Sequence, residues 1–229
     1  MISVIIPAGG SGKRMGSEVP KQFLKLHNKE VIVHTIERFQ NSDFIDKICI
    51  SINPSTKSKL NTLIDKFNLT KVTDIVDGGS TRQESIYNAL FTESVKKSSK
   101  VLVHDSVRPF IDDELIKKLI EELDNYKAVI PVIPVSDTIK MIENDEIINT
   151  PKREKLFSAQ TPQAFNTETL IKANEFVLKK NITVTDDASI IEAYGFVVKT
   201  IIGDPKNIKI TNPLDMKYAE MILRSNYLS

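Results

Sequence analysis

Near the N-terminus three apolar residues, Val4-Ile5-Ile6, run straight into Pro7-Ala8-Gly9-Gly10-Ser11-Gly12-Lys13-Arg14. A short apolar run bounded by Pro and Gly is the pattern of a buried strand. The loop after it carries glycine at Gly9, Gly10 and Gly12. Backbone N–H groups unshielded by a Cβ can come close to phosphate oxygens. Lys13, Arg14 and, further on, Lys21 can neutralise the charge of such a ligand. We read Pro7, Ala8, Gly9, Gly10, Ser11, Gly12 and Lys13 as a nucleotide-phosphate cradle. A tight, glycine-rich strand-to-helix turn with solvated lysines fits the same letters. Two familiar phosphate loops do not fit. A Walker A loop needs Gly in place of Pro7 and Ser or Thr in place of Arg14, and G-x-G-x-x-G counted from Gly10 meets Met15 at its third glycine.

The rest of the chain alternates strand and helix patterns. Apolar residues at helical spacing predict a helix over 31–39, and Leu60, Leu63, Ile64 and Phe67 at i, i+3, i+4 and i+7 predict another. Further helices are expected over 114–123, 167–178 and 213–223, and from the Thr185-Asp186-Asp187 cap through Glu192. Strands are expected at 47–52, 72–76, 101–103, 128–134 and 197–202. Such βαβ repetition makes an α/β, Rossmann-like, mostly parallel sheet with helices on both faces. The alternation is interrupted where 137–143 and 146–150 flank Asn144-Asp145, a hairpin signal. We expect one domain spanning residues 1–229, with a projecting β-arm at about 136–160.

Composition narrows the function. With 229 residues, 41% hydrophobic and 27% charged, the chain suits one domain with a full core. A net charge of +1 argues against general nucleic-acid binding, so an anion site must come from local clustering. The lone Cys49 lies inside an apolar run, which makes it a buried strand residue rather than a nucleophile. His34, on the first helix, reads as structural rather than as a base. No apolar stretch is long enough to span a bilayer and the N-terminus lacks a signal-peptide pattern, so no membrane partner and a cytoplasmic location are expected, or import followed by loss of a transit segment.

Two further strand ends carry chemistry. Gly78-Gly79-Ser80-Thr81 precedes a helix whose apolar face is Ile86, Ala89 and Leu90. In open α/β sheets ligands collect at strand C-termini and helix N-termini. Gly78, Gly79 and the Ser85 hydroxyl can read a nucleobase edge, while a helix start capped by Ser80 or Thr81 explains the same residues. Asp105, directly after the 101–103 strand, is placed to hold Mg²⁺, which takes few carboxylates plus phosphate oxygens. Arg108 shares that turn and can meet a second phosphate. The acids Asp186 and Asp187 are explained by helix capping alone.

Pro7-Ala8-Gly9-Gly10-x-Gly12-x-Arg14-Met15, Pro20-Lys21-Gln22, Gly78-Gly79-x-x-Arg82-x-x-Ser85, Val103-His104-Asp105-x-x-Arg108-Pro109 and Gln160-Thr161-Pro162-Gln163 occur in this order. Together they resemble the 2-C-methyl-D-erythritol 4-phosphate cytidylyltransferase family. One departure is Gly9, where the family usually has a second Ala. The resemblance implies a nucleotidyltransferase-type fold and a reaction of CTP with a polyol phosphate, assisted by Mg²⁺ and releasing pyrophosphate. It implies that Arg14, Lys21 and Lys209 are catalytic cations and that Gly78, Gly79, Ser80 and Ser85 hold the cytidine. Asp105, Arg108, Arg153, Thr161 and Thr185 would hold the acceptor. It also implies a homodimer interlocked through the arm, with Arg153 serving the partner's site. A ribitol-5-phosphate cytidylyltransferase shares most of these motifs. A nicotinamide-dependent oxidoreductase, which lacks support from a third glycine, and a non-catalytic nucleotide sensor are the readings of other classes.

Overall fold

Alternate residues of the first strand, β1 (Ile2–Pro7), enter different layers, and this splits the chain into two sets of helices. The computed structural model describes residues 1–10 and 19–227, the last two by backbone alone. Val4 and Ile6 pack on one face with α1 (Val31–Gln40), α2 (Lys57–Lys66) and α5 (Asp113–Glu122). Ile5 packs on the other with α3 (Arg82–Leu90), the short α4 (Glu93–Lys96), α6 (Thr167–Lys180) and α7 (Asp187–Ala193). The two-residue period of a strand buried on both faces dictates this sandwich.

The strands that follow are β2 (Lys25–Leu26), β3 (Lys29–Glu30), β4 (Lys47–Ile52), β5 (Val72–Asp77), β6 (Lys100–Val103) and β7 (Ala128–Pro134). After them come β8 (Met141–Glu143), β9 (Glu146–Asn149), β10 (Phe157–Ala159), β11 (Gln163–Asn166) and β12 (Lys199–Ile202). Among the described residues one eight-stranded sheet has the order β10-β7-β11-β6-β1-β4-β5, with β12 also pairing β7. β5, β4, β1 and β6 are mutually parallel, and β12 is parallel to β7. β10 and β11 run antiparallel to their neighbours. The mostly parallel α/β sheet expected from sequence is therefore present, but β11 wedges between β6 and β7 in a stretch where no strand was expected. Its Gln163 and Asn166 ends disguise a strand whose centre, Ala164-Phe165, is fully buried.

Most element boundaries match the hydrophobic pattern. β4 and β7 have the expected bounds, and Asn144 and Asp145 both take positive φ in the β8–β9 turn, as a tight hairpin turn requires. The last sheet strand begins at Lys199 rather than at residue 197, because Phe196 and Val197 stay exposed off the sheet. The cap of α7 is Asp186, not Thr185. Its carboxylate accepts from Ser189 N at 3.0 Å, and Ser189 answers on the backbone of Asp186. α8 (Pro213–Tyr227) packs with Leu26, Val107, Phe110 and Ile210 in a separate apolar cluster.

Candidate active site

β1 is the central switch of the sheet: the chain goes from β1 to β4 and β5 on one side, then returns to β6 on the other. Such a reversal opens a crevice at the carboxyl ends of the strands. A cleft of about 590 Å³ lies there, lined by Pro7, Gly9 and Gly10 after β1, Asn53 after β4, Gly79 and Ser80 after β5, and Asp105 after β6. Lys21, Arg82, Ser85 and Lys209 complete the polar wall.

Each of these groups is fixed by local bonding. Ala8 is buried and donates its N–H to Ser51 O at 2.7 Å, which locks the glycine segment to the end of β4. The buried Gln22 side chain donates to Ala8 O at 2.6 Å and so ties the turn carrying Lys21 to the same segment. Among the described residues no heavy atom beyond its chain neighbours lies within 4 Å of where a Gly10 Cβ would stand. Gly79 answers the opposite need: a Cβ there would stand 2.2 Å from Glu84 Cβ. The close approach lets Glu84 accept from Ser80 N at 2.6 Å and complete a capping box with Thr81, the N-cap of α3. The Ser85 hydroxyl accepts from Gly79 N at 3.0 Å and donates to Thr81 O. Gly78 N–H is held by Ile52 O, so Gly78 supports the loop from behind the cleft.

The chemistry centres on Asp105. Lys209 Nζ lies 2.9 Å and Arg108 Nε 3.3 Å from its Oδ2, and Arg82 Nε is 3.7 Å from its Oδ1. Burial opposes the charge on Asp105, but Lys209, Arg82 and Arg108 outweigh it and hold the carboxyl well below the usual carboxylate range. Arg108 Nη1 also donates to Asn207 O at 2.8 Å, and Asn207 Nδ2 donates to Thr161 O. The buried Gln160 side chain donates to Asp204 O and Asn207 O. These bonds carry the 204–210 segment, and Lys209 with it, onto Asp105. Lys209 reaches Asp105 although residues 208–210 form no strand.

Behind Asp105 stands His104, fully buried, its ring edge-on to Phe39. Its Nε2 is 2.9 Å from Arg108 O, which can only accept, so Nε2 carries the proton. Nδ1 then accepts from the Thr161 hydroxyl at 3.1 Å, and the Thr161 oxygen in turn accepts from Asp105 N. Burial pushes the imidazole down to about 4. His34 also has a structural bond, Nε2 to Leu26 O at 2.9 Å, and Cys49 is an inert buried thiol that burial raises to about 12.

Of the residues singled out by sequence, Pro7, Gly9, Gly10, Lys21, Gly79, Ser80, Ser85, Asp105 and Lys209 converge on one cleft. Ala8, Gly78, Arg108 and Thr161 stand immediately behind it. Ser11, Gly12, Lys13 and Arg14 lie outside the described residues. Arg153 is at the foot of the arm, donating to Ser136 O, and does not line the cleft. Thr185 lines a neighbouring cavity of about 420 Å³ between α3, α6 and α7. Gln22, Asn53 and Asn207 were not singled out, nor was Arg82, whose motif position was its one sequence signal.

Among the described residues no three His, Cys, Asp or Glu side chains gather into a metal cage. Asp105 is the one carboxylate among the described residues that line the cleft, and its Oδ1 has the looser cation partner. That donor set fits an Mg²⁺ ion whose other ligands are substrate phosphates and water, and does not fit an ion held by protein alone.

Comparison with known proteins agrees with this arrangement. The family model described as 2-C-methyl-D-erythritol 4-phosphate cytidylyltransferase matches residues 2–225. A protein of that name from Clostridioides difficile is 42% identical, covering 97% of this chain and 94% of that one. One from Bacillus cytotoxicus is 38% identical, covering 97% and 98%. The solved structure of 4-diphosphocytidyl-2C-methyl-D-erythritol synthase from Anaerococcus prevotii superposes with a TM-score of 0.84 at 32% identity, covering 97% and 96%. The 2-C-methyl-D-erythritol 4-phosphate cytidylyltransferase of Francisella tularensis gives 0.82 at 32% identity, covering 96% and 98%. With near-complete coverage in both directions, the chain belongs to the 2-C-methyl-D-erythritol 4-phosphate cytidylyltransferase family.

Proposed function

We infer that this chain is a nucleotidyltransferase that joins CTP and 2-C-methyl-D-erythritol 4-phosphate, giving 4-diphosphocytidyl-2-C-methyl-D-erythritol and pyrophosphate for isoprenoid precursor synthesis. The observation that carries the reading is the convergence of Arg82, Arg108 and Lys209 around one carboxylate, in a cleft lined by Lys21 and floored by Gly9-Gly10 and Gly79. An acceptor phosphate oxygen attacks the α-phosphorus in line, the bond to the bridging oxygen breaks, and pyrophosphate leaves with that electron pair. No protein nucleophile or strong base is required, so catalysis rests on positioning and charge stabilisation. Lys21 and Lys209, with Arg14 by family resemblance, stabilise the charge gathering on the α-phosphate and leaving group. Gly79 and Ser85 hold the base with Gly78 supporting them from behind, while Asp105 orders the acceptor side with Arg108 and Thr161 behind it. Mg²⁺ brought with the triphosphate and held by Asp105 would neutralise phosphate charge. Each relative named above carries the methylerythritol name, which favours that acceptor over ribitol 5-phosphate. Pyrophosphate release measured with CTP, UTP, ATP and GTP against each acceptor tests the reading. Turnover with CTP and the methylerythritol acceptor alone is expected, and equal turnover with ATP or with ribitol 5-phosphate would overturn it.

The arm supports a second part of the proposal, a homodimer. Met141, Ile142, Ile147 and Ile148 are exposed on its hairpin and Phe157 on the adjoining sheet edge, and a two-stranded hairpin is marginal alone in water. A copy of itself across a two-fold axis covers such a surface. Arg153, and Thr185 in its separate cavity, then serve an acceptor site completed by two chains. We take residues 1–229 as one nucleotidyltransferase domain with this arm, since a single sheet gathers strands from residue 2 to residue 202. Among the described residues no helix is long and apolar enough to cross a membrane, in keeping with a cytoplasmic enzyme acting on small molecules.

A further inference from the structure

Asp186 and Asp187 are adjacent but do different work. Asp186 caps α7 and accepts from Gln163 Nε2 at 2.8 Å, so helix capping accounts for it fully. Asp187 takes no part in the cap. Its side chain is only 1% exposed, and neither carboxylate oxygen makes a well-aligned hydrogen bond to a described group. Its compensation is Arg82 Nη2, 2.7 Å from Oδ2. A buried carboxylate with a single partner is costly to keep unless the pair has a further use. Arg82 starts α3, lines both the cleft and the neighbouring cavity, and turns its Nε to Asp105 Oδ1 at 3.7 Å.

We propose that Asp187 is a positioning residue: it anchors the Arg82 guanidinium from behind, so that Arg82 orients Asp105 without closing on it. Asp105 already has Lys209 and Arg108 on its Oδ2. An Arg82 released from Asp187 has Asp105 as its other ion-pair partner, since the nearby Asp186 is engaged by Gln163 and Ser189, and it would move onto Oδ1, tying up the remaining face of the group that orders the acceptor. A guanidinium suits this bridge because its separate N–H groups can address two carboxylates at once, which an ammonium on a flexible stem cannot do in the same geometry. The loss should therefore fall on turnover and on the acceptor rather than on CTP binding.

This inference rests on the reaction proposed above, and its test separates the two. Asp187→Asn keeps the side-chain shape and leaves the Asp186 cap in place. It is expected to lower kcat about tenfold or more and to raise the acceptor KM, with the KM for CTP changed less than about threefold. Arg82→Ala should show the same pattern, and the double variant should be no worse than Arg82→Ala alone. Independent, multiplicative losses, or wild-type kinetics in Asp187→Asn, would overturn the proposal. A crystal structure of Asp187→Asn reads it without any assay: Arg82 should have moved toward Asp105, and an unmoved Arg82 would overturn it. If the wild-type chain releases no pyrophosphate from CTP and the methylerythritol acceptor, the reaction reading fails while that structure still decides the role of Asp187. Should Asp187→Asn fail to fold, Arg82→Lys carries the test. It is expected to melt within a few degrees of wild type yet lose about tenfold in turnover, and full activity would refute the bridge.

Discussion

In the cleft a carboxylate, Asp105, is buried among three cations, whereas on the arm Ile142, Ile147 and Ile148 each leave more than half of their surface exposed. Both regions depart from the usual partition of charge outside and apolar groups inside. They differ in where compensation comes from. The cleft closes its account within one chain, through Arg82, Arg108, Lys209 and the His104–Thr161 bonding behind them. Among the described residues the arm has no such cover. A region that compensates itself can be a site in one copy, while one that does not points to another molecule.

The comparison breaks hardest at the cations proposed to be catalytic. Lys209→Ala and Lys21→Ala should lose about a hundredfold or more in turnover, the scale of a missing transition-state charge, while urea unfolding changes by about 1 kcal/mol or less. A loss of stability that matched the loss of rate would make the cluster a folding device rather than a site.

The scaffold behind Asp105 makes the next prediction. His104 titrates at about 4 in the fold against an ordinary value of 6.5. The unfolded chain therefore binds the extra proton between pH 6.5 and 4, and folding stability should fall as pH drops through that window, by about 3 kcal/mol in total. Above pH 6.5 the contribution is constant. Urea titrations at several pH values measure the slope. His104→Gln should remove this contribution to the slope even if the variant is less stable throughout, and an undiminished slope would place its source elsewhere.

On the arm the expected effect is smaller. Burying one isoleucine is worth about 1.5–3 kcal/mol, so Ile147→Ser should weaken self-association by about 2 kcal/mol for each substituted chain, roughly thirtyfold in Kd per chain. Light scattering should give about twice the 25.8 kDa chain mass for the wild type and a concentration-dependent average for the variant. Mixing the inactive Arg153→Ala and Lys21→Ala chains should restore part of the activity. A fully active monomer, or no rescue after demonstrated chain exchange, would detach the arm from the site.

The sequence by itself determined the layers. Apolar runs of period two and stripes of period 3.6 are local properties, and they placed β4, β7 and α1 almost to the residue and located β1 and α2 with starts two or three residues late. The glycine loops and the strand-end Asp105 were legible for the same reason, since strand ends of a parallel sheet share one edge. What only the tertiary structure decided depends on residues far apart in the chain. β11 looks polar at its ends, and its partners on β6 and β7 make it a strand. Thr161, expected to face a ligand, spends its hydroxyl on His104 and the Asp105 backbone. Asp187 had the same letter as its capping neighbour, and no local rule separates the two. α7 turns one carboxylate to its own backbone and buries the other against Arg82, a partner 105 residues earlier in the chain. Periodicity records which face a residue occupies. Which distant group meets it there depends on how the helices cross the sheet, and that is set by packing across the whole core.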